Sequence, residues 1–171
     1  MLKGIKTGVC DWALPGGGLF AARMANEFGL DCVSLRAGLF GNDYPVTHKK
    51  MQEYYLDEQQ KYGIEYAALA LNDFDNIPMF AGENTREYDI VWDMLSRAVP
   101  TAKRLGISMV QVPGFVESHI KTERDMEHAA RAIRYLCDEA GDDDIDVAYE
   151  SSFTAEEFRT LSEMVGRDHF Y

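Results

Sequence analysis

Cysteine is scarce and badly placed for bridging: Cys10, Cys32 and Cys137 are odd in number, far apart and form no Cys-x-x-Cys pair. That weighs against a disulfide framework or a thiolate zinc site and suits free thiols in a reducing compartment. Two of the three fall in predicted strands, where inert burial is the expectation; Cys10, near a strand's carboxyl end, is the candidate for a reactive thiol. Apolar runs are short, none long enough to span a bilayer, and Met1-Leu-Lys-Gly-Ile-Lys-Thr-Gly8 lacks the apolar core of a signal peptide. Basic residues are few: 17 Lys and Arg stand against 29 Asp and Glu, a net charge of −12. Such a surface repels phosphate backbones, so neither nucleic acid nor an anionic membrane is an expected partner, although one basic pocket could still hold a phosphorylated small molecule. The expectation is a soluble, cytoplasmic protein.

Familiar catalytic signatures are missing too. Gly16-Gly17-Gly18 is neither a Gly-Lys-Ser/Thr loop nor a GxGxxG turn, and it reads as a flexible turn before a helix. Ser151 and Ser152 lack the Gly-x-Ser-x-Gly elbow of hydrolases. No linker or low-complexity segment divides the 171 residues, which make one domain with 46% apolar residues to fill its core.

What is present is a rhythm. Five times a helix-length segment runs into a short apolar stretch: Ile5–Cys10, Asp31–Arg36, Ile64–Leu71, Ile107–Val112 and Asp144–Glu150. Three junctions share one form, Gly29-Leu-Asp-Cys-Val, Gly63-Ile-Glu-Tyr-Ala and Gly106-Ile-Ser-Met-Val: a helix-ending glycine, an apolar residue, a polar residue, then a strand. Thr122 with Asp125 and Thr154 with Glu157 read as capping boxes opening two helices. Pro100 falls inside the third helix, where it removes a backbone donor and is expected to kink it. The acidic run Asp142-Asp143-Asp144 reads as a solvated turn. Right-handed crossovers lay the strands side by side in parallel, but periodicity leaves open whether the sheet is a barrel or an open doubly wound sheet. Tyr171 stands in what reads as the opening of a sixth strand.

In parallel α/β folds the chemistry sits at the carboxyl ends of strands. The candidates there are Cys10, Asp11, Trp12, Arg36, Asn72, Asp73, Pro113, Phe115, His119 and Glu150. Each has a plain structural alternative: Trp12 as core, Arg36 as half of an ion pair, His119 as an exposed loop histidine, Glu150 as an acid that merely ends a strand.

Gly8-Val-Cys-Asp-Trp-Ala-Leu-Pro15, Leu30-Asp-Cys-Val-Ser-Leu35 and Val147-Ala-Tyr-Glu150, in that order, resemble the xylose isomerase-like barrels, in particular their sugar (phosphate) isomerase/epimerase and ketose 3-epimerase branch. The resemblance implies a (β/α)8 TIM barrel of which this chain covers about the first five βα units and the start of strand six. It implies that Glu150 binds a divalent metal (Mn2+, Mg2+, Co2+ or Zn2+) and transfers a proton, the other ligands coming from strands six to eight. It also implies a sugar or sugar-phosphate substrate, with Glu156 matching an acid that contacts it; Trp12, Arg36 and His119, by their places past the strands' ends, are the further substrate-binding candidates. Glu156 reads equally well as an acid stabilising a helix's first turn. Arg36 stands where relatives often carry an acid, which leaves a substrate phosphate, a substrate carboxylate or an ion pair open. Endonuclease IV enzymes share the barrel but need more histidines than Asn72-Asp-Phe-Asp75 offers. On this reading the chain by itself is expected to be inactive, and its open sheet edges favour a homo-oligomer. The competing expectation is a non-catalytic half-barrel for assembly or binding.

Overall fold

The structure, a computed structural model, describes residues 5–141 and 143–171. Five strands, β1 (Gly8–Cys10), β2 (Cys32–Arg36), β3 (Glu65–Ala70), β4 (Met109–Pro113) and β5 (Asp146–Glu150), alternate with α1 (Ala21–Glu27), α2 (Lys49–Tyr62), α3 (Arg86–Leu105), α4 (Glu123–Ala140) and α5 (Ala155–Val165). The helix ends are those the sequence announces. Gly29, Gly63 and Gly106 take left-handed φ values of 69°, 66° and 68°, a conformation that costs a side-chain-bearing residue energy. Thr122 accepts from Asp125 N and Thr154 from Glu157 N, and both acids bond back to complete the boxes. The third helix runs on through Pro100.

All pairings are parallel and the strand order is β1-β2-β3-β4-β5, so each crossover moves one strand along in the same direction. Each helix also packs on the next, α1 on α2 through to α4 on α5, which puts the helices on one side of the sheet. A doubly wound sheet reverses direction and takes helices on both faces; this one has the winding of a barrel. Phe170 bridges Val147 in parallel, the beginning of a sixth strand.

Register separates the two faces. Leu35, Leu69, Val110 and Val147 align across four strands, are fully buried, and point to the helices, where Leu95, Ala98, Leu105, Ile133 and Leu136 cover them. Full burial of each such strand side chain is worth about 1.5–3 kcal/mol. The next row, Arg36, Ala70, Gln111 and Ala148, faces the other way into the concavity. A slip of one residue would exchange the rows, so the register is strongly held. The register shift at Val33/Ser34 leaves Ala67 as an extra residue in β3 and bends the sheet there.

Candidate functional site

The inner face converges on Glu150. Trp12, just past β1, and Glu150, at the end of β5, line one cavity of about 220 Å3 together with Asn72, Asp75, Gln111 and Phe115. In a flat sheet four strand spacings would hold β1 and β5 roughly 19 Å apart. The sheet is therefore curled, and Glu150 shares its cavity with Trp12 from the first strand's end. Its charge reaches the Cys10 thiol on β1 as well.

Local sequence builds this geometry. Gly114 follows β4 and donates to the Glu150 carbonyl at 2.7 Å. A Cβ on Gly114 would lie 2.1 Å from the Tyr149 hydroxyl, so glycine lets β4 and β5 finish side by side. Gln111, on the inner row, donates its Nε2 to Glu150 Oε2. The turn after β3, Asn72–Asp75, splits two acids between two tasks. Asp73 is buried and faces away from the cavity, accepting from Phe40 N at 2.8 Å and the Tyr44 hydroxyl at 3.0 Å. Asp75 faces the cavity instead. Its Oδ1 and that of Asn72 are buried without a hydrogen bond to any of the described residues. Burial raises the Asp75 carboxyl above the usual aspartate range, and the negative charge of Glu150 adds to the effect.

Cys10 does not have the environment of a nucleophile. Burial, Asp11 and Glu150 all push its thiol up, away from the thiolate. Arg36 lies one cavity along the rim, in a space of about 260 Å3 shared with Asp11, Gly17, Gly18, Asn42 and Tyr55. Its Nε donates to Asp11 Oδ1 at 3.3 Å, and Asp11 is only 1% exposed. The glycine turn is explained by this packing: a Cβ on Gly17 would fall 1.8 Å from the Asp11 carbonyl. His119 and Glu156 line neither cavity. The half-buried His119 lies near Glu157, whose carboxyl is held below its usual range chiefly by the Thr154 amide and hydroxyl, and Glu156 sits exposed in the first turn of α5.

Of the residues named from sequence, the structure thus gathers Trp12, Asn72, Pro113, Phe115 and Glu150 in one cavity and places Arg36 and Asp11 in its neighbour. Asp75 and Gln111 escaped that reading. Gln111 left a trace, a polar residue between Val110 and Val112 in an apolar strand. Nothing in Asn72-Asp-Phe-Asp75 says which aspartate turns inward.

As a metal site the described residues fall short: no three His, Cys, Asp or Glu side chains stand close enough together to hold an ion. Glu150 and Asp75, with the orphaned Asn72 oxygen, offer hard oxygen donors of the kind divalent cations take, but too few of them.

Residues 22–170 match the family model of the xylose isomerase-like TIM barrel. Over 165 residues the chain is 27% identical to a 2-epi-5-epi-valiolone 7-phosphate 2-epimerase from an Actinoplanes species, covering 96% of this chain and 59% of that protein. Among solved structures it is similar to a 3-keto-D-glucoside 4-epimerase from E. coli, with a TM-score of 0.73 and 14% identity over 97% of this chain and 66% of that one. It is also similar to the IolI protein with a bound zinc atom, with a TM-score of 0.67 and 18% identity over 97% of this chain and 61% of that one. In each case this chain spans less than two thirds of the other's length.

Proposed function

This chain belongs to the xylose isomerase-like TIM barrel family, and on that premise we propose that it serves a sugar or sugar-phosphate isomerase or epimerase in which Glu150 moves the proton. The observation that carries this reading is the shared cavity: a strand-five carboxylate held by Gln111, a second carboxyl at Asp75, and the face of Trp12 as a wall. Epimerisation and isomerisation beside a carbonyl begin by removing the proton from the carbon next to it. Glu150, exposed at the rim, takes that proton. Asp75, lining the same cavity, is the second carboxyl placed to hydrogen-bond the oxygen of the forming enediol. Trp12 packs against the apolar face of the ring and keeps bulk water away.

Glu150 is also the residue this chain would offer to a divalent cation, the remaining ligands coming from outside the described residues. Such an ion, when bound, stabilises negative charge on the substrate's oxygens. Because the described residues hold no ion by themselves, residues 1–171 alone are expected to turn over far more slowly than the same residues in a chain of the relatives' length.

The test is solvent exchange. A panel of ketoses and ketose phosphates is incubated in D2O with manganese, and deuterium next to the carbonyl is followed by mass spectrometry. Incorporation is expected with at least one substrate, and Glu150→Gln should slow it about 100-fold or more, the usual scale for losing a general base. If the chain of the relatives' length exchanges nothing on the panel, or Glu150→Gln exchanges as fast as wild type, the reading is wrong.

A further inference from the structure

The cavity at the ends of β1 and β2 has polar side chains that the fold leaves unused. Arg36 bonds Asp11 through its backbone N and its Nε, so Nη1 and Nη2 have no protein partner among the described residues. The hydroxyl of Tyr55, a residue 6% exposed, and the side chain of Asn42 line the same space without a hydrogen bond to another described residue. Beneath Arg36, Asp11 Oδ2 is buried with no hydrogen-bond partner among the described residues; burial raises the Asp11 carboxyl above the usual aspartate range, against the opposing pull of Arg36.

We propose that this 260 Å3 cavity is a subsite for the neutral, hydroxyl-bearing end of a polyol such as a sugar or cyclitol, and that it does not hold a phosphate or carboxylate. Charge decides between the two. Arg36 is the one cation among the described residues lining the cavity, and a buried carboxylate 3.3 Å from its Nε already offsets it. A phosphate would meet a nearly neutral pair, on a protein of net charge −12, with an unpaired carboxylate oxygen close by. A hydroxyl both donates and accepts, so a pair of neighbouring hydroxyls can accept from the free Arg36 edge while donating to Tyr55 or Asn42. Asp11 is then a positioning residue: it fixes the guanidinium and cancels its charge.

The cavity abuts the one at Glu150. Arg36 is in register with Ala70, which lines the Glu150 cavity, and the consecutive residues Asp11 and Trp12 line one cavity each. The two would hold opposite ends of one molecule, a point that rests on the function proposed above; binding at Arg36 itself does not.

The experiment reads binding without turnover. Protein labelled with 15N is titrated with myo-inositol and, separately at matched ionic strength, with inorganic phosphate, following the Arg36 Nε–H and the Gly17 and Gly18 amides. Inositol should shift these resonances saturably with a Kd in the millimolar range, up to about 100 mM ligand. Arg36→Gln or Tyr55→Phe should weaken binding about 10-fold, a loss of one good contact. Asp11→Asn should uncover the arginine's charge and make phosphate the better ligand; should that variant not fold, the Arg36→Gln and Tyr55→Phe titrations decide. Phosphate binding more tightly than inositol to the wild type, or no shift with inositol, overturns the proposal. The titration needs neither turnover nor added metal, so a failed deuterium-exchange assay and a failed subsite are told apart.

Discussion

Replacing Asp73 tests whether the wall of the Arg36 cavity is held as the structure implies. The loop between β2 and α2 places two consecutive side-chain-bearing residues, Asp43 and Tyr44, at left-handed φ values of 52° and 45°. Such conformations cost on the order of 1–3 kcal/mol each and persist only where other contacts enforce them. Asp73 is the enforcer: one carboxylate oxygen takes both the Phe40 amide and the hydroxyl of Tyr44, a residue 1% exposed, and the other takes Asn76 Nδ2 at 3.3 Å. Burial first, then the Asp73 charge and hydrogen bond, push the Tyr44 phenol well above its ordinary range, so it stays a donor at any working pH. Two charge-assisted bonds at about 1.5–3 kcal/mol each give a gross loss of about 3–6 kcal/mol in Asp73→Ala, and relaxation of the strained loop returns part of it. A net destabilisation of about 3 kcal/mol is expected in urea denaturation at pH 7, against a total of about 5–15 kcal/mol for a domain of this kind. Asp73→Asn keeps an acceptor in place and should lose about 1–2 kcal/mol, which covers the case where the alanine variant does not fold. An alanine variant within about 1 kcal/mol of wild type, at unchanged m-value, would show that Asp73 does not anchor the loop.

Three further outcomes follow from the same geometry. Gly114→Ala must push the Tyr149 ring aside and should cost about 1–3 kcal/mol in the same denaturation assay; an unchanged midpoint would mean that β4 and β5 do not meet as described. Because the Asp75 carboxyl is raised in the folded state, its contribution to stability is complete below the usual aspartate range and is lost as pH rises through the raised value. Asp75→Asn should therefore be more stable than wild type at pH 7, with a thermal midpoint that falls less steeply above about pH 4; equal or lower stability would count against a half-buried carboxyl repelled by Glu150. Cys137 is pushed up to about 11 by burial, and Cys10 and Cys32 are raised as well, so alkylation by iodoacetamide at pH 7 should be slower than for a free thiol at all three. Glu150→Gln should speed the reaction at Cys10 and leave Cys137 unchanged; no change at Cys10 would deny that the two face each other across the curl.

Most of the element order was legible because it is written in local chemistry. Glycines at 29, 63 and 106 end helices by backbone conformation alone, and Thr122 and Thr154 open them by bonds within one turn. Strands were overrun at their starts: β1 begins at Gly8, not Ile5, and β5 at Asp146, not Asp144, since apolar patterning continues past the last ladder bond. The site was legible where position along a strand sufficed, as for Glu150 and Trp12, and not where a turn chose between like residues. Asp73 and Asp75 are two residues apart in one turn, yet one holds a loop and the other faces the cavity.

By itself, then, the sequence determined the alternation of strands and helices, their parallel order and the acid that ends the fifth strand, because these depend on periodicity, capping and turn chemistry within a few residues. Tertiary structure alone decided that the sheet curls with its helices on one side, that Asp75 and Gln111 join Glu150, and that Asp11 neutralises Arg36. Those facts depend on which side chains the curvature brings within a few ångströms across strands that lie far apart along the chain, a distance that no local pattern encodes.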